Sequence, residues 1–343
     1  MNSFLYDKPF KTYSEQIELI QNKNVIISDL DFAQNALCNI SYYTLINGYK
    51  QSVLCNADTD QFIDGTTFEM LYTIHILDNS FNSMIFKYIL FIEKSLKTKL
   101  AYLIGRKYGV YFEDRYKQID VDSSECIDDY LHISHYSTSA KGRTNILSGI
   151  REYAVEKINK NSSTRYYQRT KNHVPPWILV NDLPFGEIIK WYDILIGVDK
   201  TEICDQMLPY KTPLESRKEL LKKSLSLLKE FRNSIAHGNK TFANHPRIQL
   251  PQRSLLALLP ESVLTKDEWL KGIGVNDILG IFIIIILLIN DKYIINNLIL
   301  EFERIVNPYE KYRFSNNNSV FDIFNIPSNV LERMSELQIS KYR

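Results

Sequence analysis

One apolar run, ILGIFIIIILLI at Ile278 to Ile289, constrains the fold of this chain more than any other feature. A helix that is apolar on every side has to be buried, either in a protein core or in a membrane. The run is shorter than the roughly twenty apolar residues that cross a bilayer. It ends at Asn290, Asp291 and Lys292. The sequence therefore predicts the central helix of a protein core.

The composition favours helices in the rest of the chain. Only 12 Gly and 11 Pro occur in 343 residues, so residues that interrupt helices are scarce. We predict an all-α protein, with its clearest helices at Asp78–Tyr108, before Gly109, and at Pro213–His237, before Gly238. Further helices are predicted at Tyr13–Gln21, Asp29–Ile40, Thr144–Lys160, Ile178–Asn181, Phe185–Ile196, near Glu202, at Tyr293–Val306 and at Ser328–Ser340.

A polar, turn-rich stretch at residues 50–67 predicts the division into domains. We expect an N-terminal helical module with its connector at residues 1–66, including an aromatic-rich turn at 41–49. A helical domain with a basic insertion near 140–175 should occupy residues 67–343. A short hairpin within the connector is the alternative to a plain linker.

Charge and cysteine content exclude several classes of protein. The 41 basic and 40 acidic side chains leave a net charge of +1, which argues against binding nucleic acid through bulk charge. The widely spaced Cys38, Cys55, Cys126 and Cys204 predict buried, reduced thiols, and we expect no metal and no cofactor. The N-terminus resembles no secretory signal, so a cytoplasmic protein without a membrane partner is expected.

The chemistry is predicted to lie in Arg232-Asn233-Ser234-Ile235-Ala236-His237, at the end of a basic helix. Helical spacing puts Asn233 and His237 on one face, with Arg232 about 100° away. RNA cleavage without metal needs a base, an acid and a cation; histidine suits the first two roles and arginine the third. Asn233 would orient the imidazole or bind a phosphate oxygen. The alternative is a helix-capping histidine at a chance spacing.

One histidine does not readily act as both base and acid in a single turnover. The motif therefore predicts that two copies of the helix face each other across the axis of a homodimer or higher oligomer.

The motif RNSIAH matches the R-[polar]-x-x-x-H signature of HEPN ribonucleases. The chain also resembles, in order, successive blocks of the Abi-like abortive-infection family that includes AbiD and AbiF. This resemblance implies a HEPN-type helical bundle with an additional N-terminal helical module. It further implies phage defence by growth arrest and a small noncoding RNA that restrains the enzyme. The similar blocks are KPFKTYSEQIELI, ISYYTLINGY, FIEKSLKTKLAYLIGRKYG and PPWILVNDLPFGEIIKWYDIL, within Lys8 to Gly238.

Supporting residues are predicted on two basic stretches and on the FIEKSLK block. Glu93 is expected to order Arg232, with an ion pair to Lys97 as the alternative. Basic side chains bind phosphates and tyrosines stack on unpaired bases, although solvated lysine-rich faces are also common. Trp177 and Trp191 are interpreted as core or domain-interface residues. The predicted RNA contacts are Lys97, Arg143, Arg151, Arg165, Tyr166, Arg169, Lys222, Lys229 and Lys240.

These patterns predict a metal-independent endoribonuclease of an abortive-infection or toxin–antitoxin system that cleaves single-stranded RNA. The alternative is a non-catalytic RNA-binding or signalling module that binds a small noncoding RNA.

Overall fold

The structure, a computed structural model, describes residues 8–49, 55–56, 60–112, 120–124, 127–157, 159–210, 212–241 and 246–342. These residues are 66% helical, and the only strands among them are two residues long, so the all-α prediction is confirmed. The helices are α1 (Tyr13–Gln21), α2 (Leu30–Asn39), α3 (Tyr42–Leu45), α4 (Phe68–Tyr108), α5 (Arg143–Glu152), α6 (Ser163–Thr170), α7 (Pro176–Asp182), α8 (Phe185–Ile194), α9 (Gly197–Met207), α10 (Leu214–Ala236), α11 (Gln252–Leu256), α12 (Lys266–Leu270), α13 (Ile278–Leu288), α14 (Lys292–Val306), α15 (Val320–Ile323) and α16 (Val330–Tyr342).

The apolar run is the core helix that its sequence predicts. Every residue of α13 is buried, and the Asp277 side chain accepts the backbone N–H of Gly280 at the start of the helix. At its end, the amine of Lys341 donates to three backbone carbonyls, one of them that of Ile289, at 2.7–2.8 Å. No helix in the described part of the chain is both long and apolar enough to cross a membrane.

Helix α4 is the longest element, with 41 residues. It begins at Phe68, ten residues before Asp78, and the apolar periodicity in the sequence is clearest from Asp78 onward. It ends just before Gly109, which adopts a φ of +83°. This left-handed conformation carries little strain in glycine. The glycine signal therefore located the end of the helix correctly.

The chain forms two compact units, each built from separate stretches of sequence. The first consists of the described residues within Met1–Ile85, Gly238–Asn244 and Asn297–Leu331. The second consists of those within Phe86–His237, His245–Asn296 and Glu332–Arg343. The division at residue 66 stays a prediction.

In the first unit, α1 and α2 begin at side-chain caps. Thr12 and Glu15 form a capping box on α1, and Asp29 accepts the backbone N–H of Phe32 on α2. The expected turn at 41–49 forms α3 and a 3-10 turn at Asn47–Tyr49. The connector contains the antiparallel strands β1 (Cys55–Asn56) and β2 (Gln61–Phe62), so the hairpin alternative holds, with 50–54 and 57–59 outside the described residues.

In the second unit, the predicted helix at 144–160 is divided. α5 ends at Glu152 and a π-helical turn follows at Tyr153–Lys157. Helix α6 was not predicted from the sequence; it begins where the Ser162 side chain accepts the backbone N–H of Arg165. Its apolar periodicity is weak because Thr164 and Gln168 are its only buried residues.

The cysteine prediction is right for one thiol and wrong for another. Cys204, in the second unit, is buried, whereas Cys38, in the first, is exposed. The side chains of Cys55 and Cys126 lie outside the described residues.

Candidate active site

Helix α10 carries the predicted motif at its C-terminal end. Its apolar side chains recur every three or four residues and are fully buried, from Leu220 and Leu221 to Leu228 and Phe231. That spacing keeps one face of the helix in the core of the second unit. The lysines at 222 and 223 and the final turn lie toward the surface, whereas Ser224 is buried with the apolar face.

Three side chains at the end of α10 are the predicted catalytic groups, and two of them are exposed. Asn233 and His237 are exposed, while Arg232 is half-buried. The backbone N–H of His237 donates to the carbonyl of Asn233 at 3.1 Å, which puts residues 233 and 237 one turn apart on the same face. Gly238 follows with a φ of +74° and ends the helix.

The guanidinium of Arg232 lies next to Asn233 and above an aromatic ring. Its Nη1 donates to Asn233 Oδ1 at 3.3 Å, and its Cζ lies 5.7 Å from the centre of the Phe86 ring. Its Nε is buried without a hydrogen-bond partner. Among the described residues, no carboxylate pairs with Arg232, and no side chain bonds to the imidazole of His237. The motif thus presents a cation, an amide and an imidazole, none of them neutralised by an acid.

Glu93 takes the alternative partner considered for it. Its Oε1 lies 2.9 Å from Lys97 Nζ, and both side chains are largely buried. The carboxylate of Glu93 thus pairs with Lys97 and not with Arg232. The prediction that Glu93 orders Arg232 is therefore corrected. Its second oxygen, Oε2, is buried without a partner. A buried polar atom left unbonded is uncommon and is often found at a functional site.

Arg151 is not an RNA contact in this structure, which corrects the sequence prediction. Its side chain is completely buried, and its Nη2 donates to Asp129 Oδ2 at 2.7 Å. The guanidinium lies 4.9 Å from the centre of the Phe112 ring. A phosphate outside the protein could not reach it.

Three more of the predicted contacts are engaged within the second unit. Arg143 donates to the carbonyls of Ile133 and Tyr136. Arg165 donates to the carbonyl of Val155 and to another side chain of its own helix. Lys97 is 12% exposed and pairs with Glu93.

Lys240 belongs to a buried polar network in the first unit, which again corrects the prediction. Its amine donates to Tyr49 Oη at 2.9 Å, and that hydroxyl lies 3.1 Å from His75 Nδ1. The backbone N–H of Thr241 donates to Asp78 Oδ1 at 2.8 Å. Burial raises the pKa of Asp78 to about 6 and lowers the pKa of His75 to about 4. The network therefore anchors residues 240–241 and leaves the amine little freedom to bind a phosphate.

Four of the predicted contacts remain accessible. Tyr166 is 58% exposed on α6, and Arg169 is exposed one turn later. Lys222 is 57% exposed and pairs with Asp193, and Lys229 is half-buried on α10. The predicted RNA path on the two basic stretches therefore depends on these four side chains.

The two tryptophans differ in exposure, and only Trp191 is a core residue. Trp191 is fully buried and its indole N–H donates to Tyr136 Oη, as a packing residue should. Trp177 is 50% exposed. Its position was visible in the helical period of α7, because Leu179 and Val180 form the buried face while Asn181 shares the side of Trp177.

Among the described residues, no group of three or more His, Cys, Asp or Glu side chains could hold a metal ion.

The fold and site define an all-α protein that presents a guanidinium, an amide and an imidazole at one helix end. The family model of Abi-like proteins matches residues 35–243, more than half of the chain and including the whole motif. The chain belongs to the Abi-like family, and its function is of the abortive-infection type. No curated protein and no solved structure matches it.

Proposed function

We propose that this protein is a metal-independent HEPN endoribonuclease that cleaves single-stranded RNA as the effector of an abortive-infection system. Abortive infection requires an activity that stops growth, and general RNA cleavage does so. The exposed motif at the end of α10 is the part of the described chain best suited to that chemistry.

The proposed roles follow from the side chains. His237 takes the proton of the ribose 2′-hydroxyl as that oxygen attacks phosphorus, since a neutral imidazole nitrogen can act as a general base. Arg232 stabilises the charge that develops on the phosphoryl oxygens. Asn233, which accepts a hydrogen bond from Arg232, holds the guanidinium in place. The products would be a 2′,3′-cyclic phosphate and a 5′-hydroxyl.

A second imidazole is needed to protonate the leaving 5′-oxygen. We propose that it is His237 of a second copy, with two α10 helix ends meeting in a homodimer or higher oligomer. Both ends would then act on one phosphodiester.

The observation that carries the proposal is the lack of an acidic partner for Arg232 and of any bonded side chain for His237 among the described residues. Buried charged and polar groups are normally paired, and the half-buried guanidinium of Arg232, whose Nε is buried without a partner, departs from that rule. A phosphodiester supplies the missing negative charge.

The test is expression of the intact protein beside His237→Ala and Arg232→Ala. Wild type should arrest growth and degrade total RNA, while either variant should leave RNA intact, with cleavage in vitro reduced at least about 100-fold. Lys223→Ala, an exposed lysine of the same helix, is the matched control and should cleave normally. Intact RNA and equal growth for wild type and His237→Ala would refute the proposal.

Two further measurements test the mechanism. Cleavage should survive EDTA, and its products should carry the cyclic phosphate; loss of cleavage on chelation, with the fold retained, would exclude the metal-independent route. A non-catalytic RNA-binding module would instead lose RNA binding in Arg232→Ala and retain it in His237→Ala, with no cleavage by wild type.

A further inference from the structure

A groove of about 480 Å³ lies between α4 and α7 in the second unit, and no motif residue is part of its lining. Its volume is in the range of small-molecule pockets. Lys94, Lys97 and Tyr102 line it from α4, and Trp177 and Asn181 line it from α7. Of these residues, only Lys97 was predicted from the sequence to contact a ligand.

Two large aromatic side chains are exposed in this groove. Tyr102 is 64% exposed and Trp177 is 50% exposed. Exposed aromatic rings clustered in one concave surface are typical of binding sites, because they cost free energy in water until they are covered.

Trp177 is held in place although it is exposed. A Cβ added at Gly105 would lie 3.4 Å from Trp177 Cζ3 and 4.0 Å from Pro176 Cγ, so the indole packs directly against the backbone of α4. The carbonyl of Trp177 accepts a hydrogen bond from Asn181 Nδ2 at 2.8 Å. The ring thus rests against Gly105 while half of the side chain stays exposed, and an exposed ring held in this way can stack on a nucleic-acid base.

The charge in the groove is positive. Its lining includes two lysines and no carboxylate. Lys97 is paired with the buried Glu93, but Lys94 is exposed and forms no ion pair among the described residues. The nearby Arg106 is already bound by both oxygens of Glu202. Lys94 is therefore the cation available to an anionic ligand.

A ligand that is complementary to the groove has a flat aromatic face and a negative charge beside it. An inorganic anion would use Lys94 and leave both rings exposed to water, whereas an apolar peptide would bury the rings and desolvate the lysines. A nucleotide has both parts. We propose that this groove binds an unpaired nucleotide of single-stranded RNA, with its base on Trp177 and its phosphate at Lys94. The choice of RNA rests on the proposed function, and the groove would supply a substrate contact outside the reacting atoms.

The test measures binding in full-length chains that carry His237→Ala, so that cleavage does not interfere. A fluorescein-labelled oligouridine RNA is titrated and its anisotropy followed. Adding Trp177→Ala should raise the Kd about tenfold, in the range measured for the loss of one base stack. Trp177→Phe keeps an aromatic face and should stay within about threefold of the parent.

Lys94→Gln tests the phosphate contact separately. It should raise the Kd about threefold and reduce the slope of log K against log salt concentration by about 0.7, the loss of one contact to single-stranded nucleic acid. Tyr293→Ala is the matched control, because Tyr293 is 70% exposed with Lys292 beside its ring but lies outside the groove. It should bind RNA like the parent.

Several results would overturn the inference: equal Kd values for Trp177→Ala and the parent, equal losses in Trp177→Ala and Tyr293→Ala, or no RNA binding by the parent. Competition by free UMP as strong as that by the oligonucleotide would point to a free nucleotide instead of an RNA strand. A changed oligomeric state in Trp177→Ala with unchanged RNA affinity would make the groove a contact between copies. The proposed function fails separately, if wild type with His237 intact does not cleave RNA.

Discussion

Arg151 and Arg232 occur in the same unit and in similar basic stretches, yet they differ in burial and in their partners. Both guanidinium groups lie over a phenylalanine ring, at 4.9 Å for Arg151 and 5.7 Å for Arg232. Arg151 is completely buried and pairs with Asp129. Arg232 is half-buried, and among the described residues its side chain bonds only to the amide of its neighbour Asn233.

The difference lies in whether the chain itself supplies the counter-charge. A buried guanidinium without a carboxylate would cost several kcal/mol, so Arg151 keeps Asp129 in the core with it. Arg232 reaches the surface at a helix end, where water solvates its charge, so it does not need a carboxylate from the protein. A basic residue without an internal acid is therefore the better candidate for an external phosphate, and residue type alone does not reveal which arginine that is.

The largest expected effect on stability comes from breaking the buried pair. Arg151→Ala should lower the free energy of unfolding by about 3–5 kcal/mol, because it leaves the Asp129 carboxylate buried without its cation. Chemical denaturation measures this loss. Arg232→Ala and the exposed Arg169→Ala should each cost less than about 1 kcal/mol. Similar losses in all three variants would show that the comparison is wrong.

A third arginine, Arg333, should show an intermediate effect that depends on pH. Its Nη2 donates to Glu268 Oε1 at 2.6 Å, and this bond, with those from Thr265, lowers the pKa of Glu268 to about 2. A carboxyl whose pKa is lower in the folded state stabilises the fold above its unfolded pKa and loses that contribution as the pH falls. The loss should thus occur between about pH 4.5 and pH 2.

Between pH 5 and pH 2, the free energy of unfolding should fall by about 2–3 kcal/mol less in Glu268→Gln than in wild type, since one pKa unit corresponds to about 1.4 kcal/mol. Glutamine still fits a capping box with Thr265, so helix α12 should form. Unfolding curves at pH 5 and pH 2 measure the change. Glu332→Gln, an exposed neighbour of Arg333, is the control. An unchanged pH dependence in Glu268→Gln would mean that this pair does not govern acid stability.

The smallest effect is expected at the surface pair of Lys222 and Asp193, whose charged atoms lie 3.2 Å apart. Because Lys222 is 57% exposed, Lys222→Ala should change the free energy of unfolding by less than about 1 kcal/mol. If Lys222 is part of the RNA path, the variant should weaken RNA binding a few-fold in low salt. Binding that is unaffected at every salt concentration would remove this lysine from the path.

Local signals predicted most of the fold. The burial of α13, the end of α4 at Gly109 and the cap of α2 at Asp29 follow from apolar periodicity, glycine conformation and side-chain capping. Each depends on residues close together in sequence. The helix α6 was missed because its buried face carries Thr164 and Gln168 instead of apolar residues.

The sequence by itself determined that the chain is helical, where most helices lie, and that Arg232, Asn233 and His237 share the end of one of them. Only the tertiary structure decided which charged residues are free. It paired Arg151 with Asp129, it bonded the amine of Lys240 to Tyr49, and it left Trp177 exposed in a groove. The physical reason is range: helix formation is set by neighbours within four residues, whereas burial and counter-charges come from segments distant in the chain.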